Sequence, residues 1–366
     1  MTSIFLSILI IFICNLFGRE ILYRMRLQPI HLSQHVILST ACGLGLFLTI
    51  TWILAFSSNL NFTACLVLLF ILLLLSTGQL ATFKSDLIHA IKHIKSHLQN
   101  RISLFTVILY FTIFQTLVLL ISELAPLTND DSIATYLNVP KYWVLEQKYF
   151  HPNSIGLSSI PGLVLILNSV GLLLEGPNLA MLLSGWWLSV FSALSIYSIT
   201  RIYGNQEASL LSGCIFLLIP DVISLTISTK IDLGWNFFEL AGVASFLLFH
   251  KSKEKRYLFL TGLLIGFAIS SKYSGMFGAS IIFILLFISS VYDEVIRGSL
   301  LKLIIIYILG IILTFWPSYL YNFHLYNNPF HPMLSSLFNS LFNSELIVSH
   351  PVNLYNENGF FGYFKS

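Results

Sequence analysis

Apolar runs long enough to cross a lipid bilayer recur along this chain from its first residues to about Leu320. A transmembrane helix needs about 20 consecutive, mostly apolar residues. Of the 366 residues, 56% are hydrophobic and only 10% are charged, whereas a soluble domain carries about 25% charged residues. The sequence therefore predicts an all-α polytopic membrane protein.

The distribution of Lys and Arg predicts how these runs thread the membrane. Arg19, Arg24 and Arg26 follow the first run and, by the positive-inside rule, place the first loop in the cytoplasm. The basic cluster at 251–256 places a later loop there too, and the two counts agree only if the apolar segment 156–174 does not cross. We expect that segment to be a re-entrant or interfacial helix on the outer face. About ten crossings remain, near residues 2–18, 36–57, 62–81, 102–122, 179–200, 207–223, 233–250, 258–271, 274–292 and 302–320.

Charge excludes one class of partner, and the cysteines indicate small core residues. The net charge is only +3, and the basic residues stand in short clusters between apolar runs, as topology signals do. We therefore expect no nucleic-acid partner. The cysteines lie in or beside apolar runs, without the spacing of a metal site; they are Cys14, Cys42, Cys65 and Cys214.

The loop after the third run has helical periodicity of its own. Leu87, Ile91, Ile94 and Leu98 recur at helical spacing among polar and basic residues. This pattern is typical of an amphipathic helix that lies on the cytoplasmic leaflet. A solvated connector is the alternative.

Polar residues that are far apart in the sequence fall on the outer face in this topology. Ionisable groups near a membrane are costly and usually mark function. The set consists of Asp130, Asp131, Asp232, Lys272, Asn328 and His331. We therefore expect a single extracytoplasmic site assembled from several loops.

Each of these residues also has a purely structural interpretation. Asp130 and Asp131 could cap the helix that follows them, and Asp232 could cap the helix near 233–250. Lys272 could extend to the lipid headgroups. The Asn and His residues after the last helix could be ordinary loop residues.

Several motifs from about residue 102 to 335 resemble the GT-C glycosyltransferases. The similarity is to the dolichyl-phosphate-mannose-protein mannosyltransferase-like and aminoarabinose-transferase-like group, in which an Asp begins a juxtamembrane helix and a second helix returns along the membrane surface. The matching motifs are Asp131, Thr135-Tyr136-Leu137, Val139-Pro140-Lys141, Glu146, His151-Pro152-Asn153, Ser159-Ile160-Pro161, Ile231-Asp232-Leu233, Ser271-Lys272-Tyr273-Ser274-Gly275 and Asn327-Asn328-Pro329-Phe330-His331-Pro332.

The resemblance implies a GT-C-like helix bundle with an outer-loop helix pair and a reaction at its outer face. An acceptor hydroxyl would displace the lipid phosphate of a polyprenyl-phosphate sugar, with inversion. Asp131 would be the general base, and Asp130 would orient it, raise its pKa or help it to bind a divalent ion. Lys272 would contact the phosphate, and Asp232 would position the sugar or the acceptor.

The resemblance also implies a donor pocket. Asn328 and His331 would complete it, and Tyr136 is a further candidate for substrate binding. Tyr136, Trp143 and Tyr149 could each stack on a sugar or on the carrier. An aromatic belt at the membrane interface explains these three residues as well, and we prefer that interpretation.

The chain departs from the best-known members at both ends. We expect residues 1–101 to be an added three-helix membrane extension, 102–335 the catalytic core, and 336–366 an extracytoplasmic tail that could be truncated. Where the family has a second acid after its Asp, this chain has Ser132. The acceptor, a lipid, a glycan or a protein, stays open.

Other functions remain compatible with the sequence. A transporter or lipid flippase would place ionisable groups near the bilayer midplane and often contain an internal repeat, and the acids here lie in loops instead. A polysaccharide polymerase or ligase with a lipid-diphosphate donor typically uses outer-loop Arg residues, which are scarce here. A structural subunit without chemistry is the third alternative. Analogy with family members favours a bacterial inner membrane, with the site facing outside.

Overall fold

A computed structural model describes residues 1–27, 31–88, 104–152, 155 and 158–342. These residues form helices and connecting turns, and no strand occurs among them. The all-α prediction is therefore confirmed for the described chain. The predicted amphipathic helix at Leu87–Leu98 lies mostly outside the described residues, as does most of the tail 336–366. The helices are α1 (Thr2–Arg24), α2 (Leu32–Phe56), α3 (Phe62–Ser76), α4 (Leu104–Ser122), α5 (Asn138–Glu146), α6 (Leu163–Leu174), α7 (Pro177–Met181), α8 (Leu188–Tyr203), α9 (Gln206–Leu218), α10 (Pro220–Thr226), α11 (Asp232–Ser252), α12 (Lys255–Ser271), α13 (Gly275–Tyr292), α14 (Glu294–Arg297), α15 (Leu300–Tyr326) and α16 (Ser335–Phe342), with a 3₁₀ turn at Thr77–Gln79 and π-helical segments at Ser132–Tyr136 and Leu182–Trp187.

Six helical segments of the described chain are long and apolar enough to cross a membrane. They are Thr2–Arg24, Leu32–Phe56, Phe62–Ile88, Pro177–Tyr203, Gly275–Tyr292 and Leu300–Tyr326. The expectation of one helix over 207–223 is wrong, because α9 and α10 meet at an angle of 68°. Pro220 begins α10 and has no N–H to continue the helical ladder of α9.

The helices sort into a buried centre and an apolar periphery. The apolar stretch of α2 is 78% buried inside the protein, whereas that of α13 is 28% buried. Residues on α3, α4, α13 and α15 accordingly expose Leu, Ile, Phe and Val side chains. In a chain of this composition such surfaces are suited to lipid.

Close helix contacts in the centre depend on residues without side chains. A Cβ atom on Gly262 of α12 would lie 2.2 Å from the carbonyl oxygen of Tyr307 and 2.9 Å from the Cα of Gly310, both on α15. Small residues allow this approach of two helices, as is common in membrane proteins. Nearer the end of α12, which leads into Lys272, the Ser270 hydroxyl donates to the carbonyl oxygen of Thr314 on α15 at 2.9 Å.

Basic loops collect at one end of the bundle, here called the basic end. Arg256 donates a hydrogen bond to the carbonyl oxygen of Met25 at 3.1 Å, so the loops after α1 and α11 meet there. Lys253 forms an ion pair with Asp293, which follows α13, at 2.5 Å. The opposite end, here called the site end, holds the loops after α2, α4, α10, α12 and α15.

Helix α6 does not have the length of a crossing helix. Its 12 residues rise about 18 Å, against a hydrocarbon thickness of about 30 Å. Gly162, just before α6, lies beside Trp143, and Asn178, just after it, donates to the carbonyl oxygen of Leu124. Both flanks therefore lie at the site end, which agrees with the expectation that segment 156–174 does not cross.

The aromatic-belt interpretation is wrong for two of its three residues. Trp143 and Tyr149 are buried, and the Trp143 indole donates to the carbonyl oxygen of Phe150 at 2.5 Å. Tyr149 packs on Trp143 and on Trp52 of α2. They are core residues because the return loop after α5 folds over the site end of α2.

Candidate active site

Two ion pairs lie at the site end of the bundle and share one short segment. Lys230 Nζ lies 2.7 Å from Asp131 Oδ2, and Lys272 Nζ lies 2.5 Å from Asp232 Oδ1. Lys230 and Asp232 are two residues apart, so the pairs are neighbours. We call these four side chains the charge row.

Asp131 does not serve as a helix cap. The helical turn that contains it is capped by Asn129, whose Oδ1 accepts a hydrogen bond from the Ser132 N–H at 3.0 Å. Asp131 has helical backbone angles and its carboxylate makes no capping hydrogen bond. The carboxylate is 67% exposed and is directed at Lys230. Asp131 therefore pairs with Lys230 and does not cap the helix.

A buried asparagine joins the two segments that carry the first ion pair. Asn168 of α6 donates to the carbonyl oxygen of Tyr136 at 2.9 Å and to that of Thr229 at 3.0 Å. Ser132, also buried, accepts a hydrogen bond from the Thr229 N–H at 3.2 Å. The short helix α6 thus holds Asp131 and Lys230 in register.

Asp232 and Lys272 are held at two helix ends. Asp232 stands in the first turn of α11 and makes no capping hydrogen bond, although an acid is favoured there by the helix dipole. Lys272 immediately follows α12 and also lies over the ring of Trp235 at 5.5 Å. Neither the cap interpretation of Asp232 nor the headgroup interpretation of Lys272 is needed, because the two side chains bind each other.

Tyr136 stands beside both acids. Burial raises the pKa of its phenol, and the negative charges of Asp232 and Asp131 raise it further. The hydroxyl therefore stays protonated and can donate a hydrogen bond to an oxygen-rich ligand. Of the three aromatic residues that the sequence suggested for substrate contact, Tyr136 is the one that borders the charge row.

Asp130 differs from its neighbour. It is exposed and forms no ion pair within the described part of the chain. Among the described residues no group of three or more His, Cys, Asp or Glu side chains is arranged to hold a metal ion. Asp130 and Asp131 offer two carboxylates, and that of Asp131 already contacts Lys230. The mechanism proposed below therefore contains no metal step.

Asn328 and His331 belong to a turn next to the charge row. Asn328 binds its own turn, since it donates to the Met333 carbonyl oxygen at 2.7 Å and accepts from the Phe330 N–H at 2.9 Å. Tyr273, the residue after Lys272, donates to the His331 carbonyl oxygen at 2.6 Å. The Tyr273 hydroxyl therefore ties this turn to the segment that carries Lys272.

The His331 ring faces a second polar cluster. It stacks on Tyr326 with ring centres 3.8 Å apart and contacts the Ser159 hydroxyl at 3.2 Å. His151 contacts the Tyr326 hydroxyl from the other side at 3.1 Å. Burial lowers the pKa of both histidines, that of His151 to about 3, so both rings are neutral near pH 7.

Lys230 was not among the residues singled out from the sequence. The available signal was its place two residues before Asp232 in an outer loop. The sequence also gave no sign that Asn168 holds the site together. An isolated Asn in an apolar segment does not indicate which two carbonyl groups it binds. Both roles depend on contacts between segments distant in the sequence.

Residues 160–317 match the family model described as dolichyl-phosphate-mannose-protein mannosyltransferase. The matched stretch contains Lys230, Asp232 and Lys272, begins after Asp131 and ends before His331. Over this stretch the resemblance to GT-C glycosyltransferases is confirmed, and it supports a membrane glycosyltransferase that uses a lipid-linked sugar donor. No curated protein and no solved structure matches the chain significantly.

Proposed function

We propose that this protein is an inverting glycosyltransferase that moves a sugar from a polyprenyl-phosphate carrier to an acceptor hydroxyl. The observation that carries the proposal is the charge row, in which two acids and two lysines alternate at one end of a membrane helix bundle. An exposed carboxylate can take a proton, and lysines can bind a phosphate.

Asp131 is the proposed general base. It would accept the proton of the acceptor hydroxyl while the hydroxyl oxygen attacks the anomeric carbon. The bond from that carbon to the phosphate oxygen breaks, and its electron pair leaves with the phosphate. Asp232, Tyr136 and the turn with Asn328 and His331 would position the donor sugar or the acceptor.

The number of charges favours a monophosphate donor over a diphosphate donor. A sugar phosphodiester carries one negative charge, and the released phosphate monoester carries about two. When Asp131 takes up the proton, its own charge disappears, and Lys230, Lys272 and Asp232 together present a net positive charge to the departing phosphate. A diphosphate leaving group would add a charge for which the row has no further lysine.

Donor binding would also release the base. Asp131 contacts Lys230 at 2.7 Å, and a phosphate that approaches Lys230 competes for the same ammonium group. The carboxylate would then turn to the acceptor hydroxyl. A base that is freed only when the donor is present would limit unproductive proton transfer.

The proposed topology has ten crossings. The six long helices and the bent pair α9–α10 are joined in this proposal by α4, α11 and α12, which have 19, 21 and 17 residues and approach the length required. The basic end would face the cytoplasm, and the charge row would face outside. We place the protein in a bacterial inner membrane by analogy.

The test is transfer of radiolabelled sugar from polyprenyl-phosphate donors by the full chain in membranes. Asp131→Asn should lower transfer by a factor of about 100 or more, as loss of a general base does. Asp130→Asn is the neighbouring comparison and should lower transfer less than Asp131→Asn, because Asp130 would assist the base and not act as it. Folding is checked by expression and thermal stability.

Other outcomes identify the competing functions. Equal transfer by wild type and Asp131→Asn would remove Asp131 from the mechanism. Transfer from a polyprenyl-diphosphate donor alone would favour a polymerase or ligase, and donor translocation without transfer would favour a flippase. Loss of transfer in chelator, restored by a divalent ion, would establish a metal requirement, with Asp130 and Asp131 as the candidate ligands.

A further inference from the structure

Glu123 is a buried carboxylic acid outside the charge row. It directly follows α4, its side chain is fully buried, and neither carboxyl oxygen has a hydrogen-bond partner. A buried polar group without a partner is costly. The environment of this carboxyl therefore calls for an explanation.

Two main-chain carbonyl oxygens lie close to the same glycine as the carboxyl. A Cβ atom on Gly185, in the π-helical segment Leu182–Trp187, would lie 2.9 Å from Glu123 Oε1. The same position is 2.1 Å from the carbonyl oxygen of Thr226 and 2.9 Å from that of Ser228. Three oxygen atoms thus approach residue 185 so closely that a side chain would not fit, and a glycine stands there.

A proton on Glu123 would satisfy this arrangement. Main-chain carbonyl groups accept hydrogen bonds and cannot donate them, and the last carbonyl groups of a helix such as α10 lack a partner within the helix. An ionised carboxylate would repel these oxygens, whereas a protonated carboxyl can donate to one of them. Burial raises the pKa of Glu123 to about 9, and no charged side chain of the described residues contributes to this shift.

The carbonyl groups that Glu123 faces belong to the segment that presents Lys230. Thr226 ends α10, and Ser228 is two residues before Lys230. The other end of this short segment is held by Ser132 and Asn168 through Thr229. A hydrogen bond at Thr226 or Ser228 would complete the attachment.

We propose that Glu123 is a positioning residue whose protonated carboxyl donates a hydrogen bond to the carbonyl oxygen of Thr226 or Ser228 and so fixes Lys230 in the charge row. The role of Lys230 in this inference rests on the proposed function. The protonation of Glu123 does not.

Two substitutions separate the hydrogen bond from simple packing. Glu123→Gln keeps the size and supplies an N–H donor, so transfer should stay within about threefold of wild type. Glu123→Met keeps the approximate size without a donor and should lower transfer at least about tenfold, since the carbonyl group of Thr226 or Ser228 loses its donor. A Glu123→Gln protein that folds but is inactive, or a fully active Glu123→Met protein, would overturn the positioning role.

The pH dependence supplies a second readout. Activity of the wild type should fall as pH rises through about 9, where Glu123 ionises. Glu123→Gln should lack this alkaline limb. An identical alkaline limb in both proteins would contradict the assignment.

Infrared spectroscopy of the purified full chain tests the proton directly. At pH 7 the wild type should show the absorption of a protonated carboxyl group, and Glu123→Gln should lack it. Folding raises the pKa of Glu123 from 4.5 to about 9. The thermal stability of the wild type relative to Glu123→Gln should therefore be highest below about pH 4.5 and fall as the pH approaches 9. Absence of this absorption band overturns the inference even if the protein transfers sugar. If the band is present in a protein that transfers no sugar, the protonation of Glu123 stands and only the proposed function is removed.

Discussion

Replacement of Lys230 by methionine tests whether this lysine binds phosphate or only pairs with Asp131. The pair has one partner that is 67% exposed, and exposed ion pairs stabilise proteins by at most about 1 kcal/mol. Lys230→Met should therefore leave folding almost unchanged. A charge-assisted hydrogen bond to a phosphate contributes about 1.5–3 kcal/mol.

This difference predicts a selective loss of catalysis. At about 1.4 kcal/mol for each factor of ten, loss of the phosphate contact should lower kcat/KM by about 10- to 150-fold. The assay is sugar transfer from a polyprenyl-phosphate donor at several donor concentrations. Lys148→Met is the matched control. Lys148, in the return loop after α5, also pairs with an acid, since its Nζ lies 3.8 Å from Glu146 Oε2. It lies outside the charge row.

A double-mutant cycle with Asp131→Asn distinguishes the two roles. If Lys230 served only to hold Asp131, adding Lys230→Met to Asp131→Asn would cause no further loss. We expect a further loss, because the phosphate contact is separate from the base. A Lys230→Met protein within twofold of wild type would refute the reasoning.

Two further predictions concern the scaffold around the site. Asn168→Leu should leave the carbonyl groups of Tyr136 and Thr229 without their donor, lowering the free energy of unfolding by about 1–3 kcal/mol and lowering transfer as well; unchanged thermal stability would contradict the joining role of Asn168. Gly262→Val should reduce yield and thermal stability in detergent, because its Cβ would meet the Tyr307 carbonyl oxygen at 2.2 Å and overpacking costs about 1–3 kcal/mol. Gly78→Ala, where a Cβ meets nothing within 4 Å, is the control and should behave as wild type.

The sequence predicted the fold class and the position of three charge-row residues for one reason. In a chain with so few charges, most charged residues lie near a helix end, so that counting crossings assigns Asp131, Asp232 and Lys272 to one end of the bundle. The counting needs no side-chain contacts. It also predicted that segment 156–174 does not cross.

Contacts between distant segments were beyond such counting. Lys230 gains its meaning only because Ser132 and Asn168 bring its segment to Asp131. Trp143 was expected at the lipid interface because an aromatic near a membrane end is common there, whereas the fold of the return loop buries it. The bend at Pro220 was readable in principle from the missing N–H.

The pairing within the charge row has a consequence for how a substrate arrives. Two lysines matched by two aspartates have no net charge, and Asp130 adds a negative charge beside them. Long-range attraction of soluble anions requires an excess of positive potential. Nucleotide sugars in solution would therefore not be concentrated at the charge row. A donor anchored in the bilayer needs no such attraction, because its lipid confines it to diffusion in two dimensions past the site.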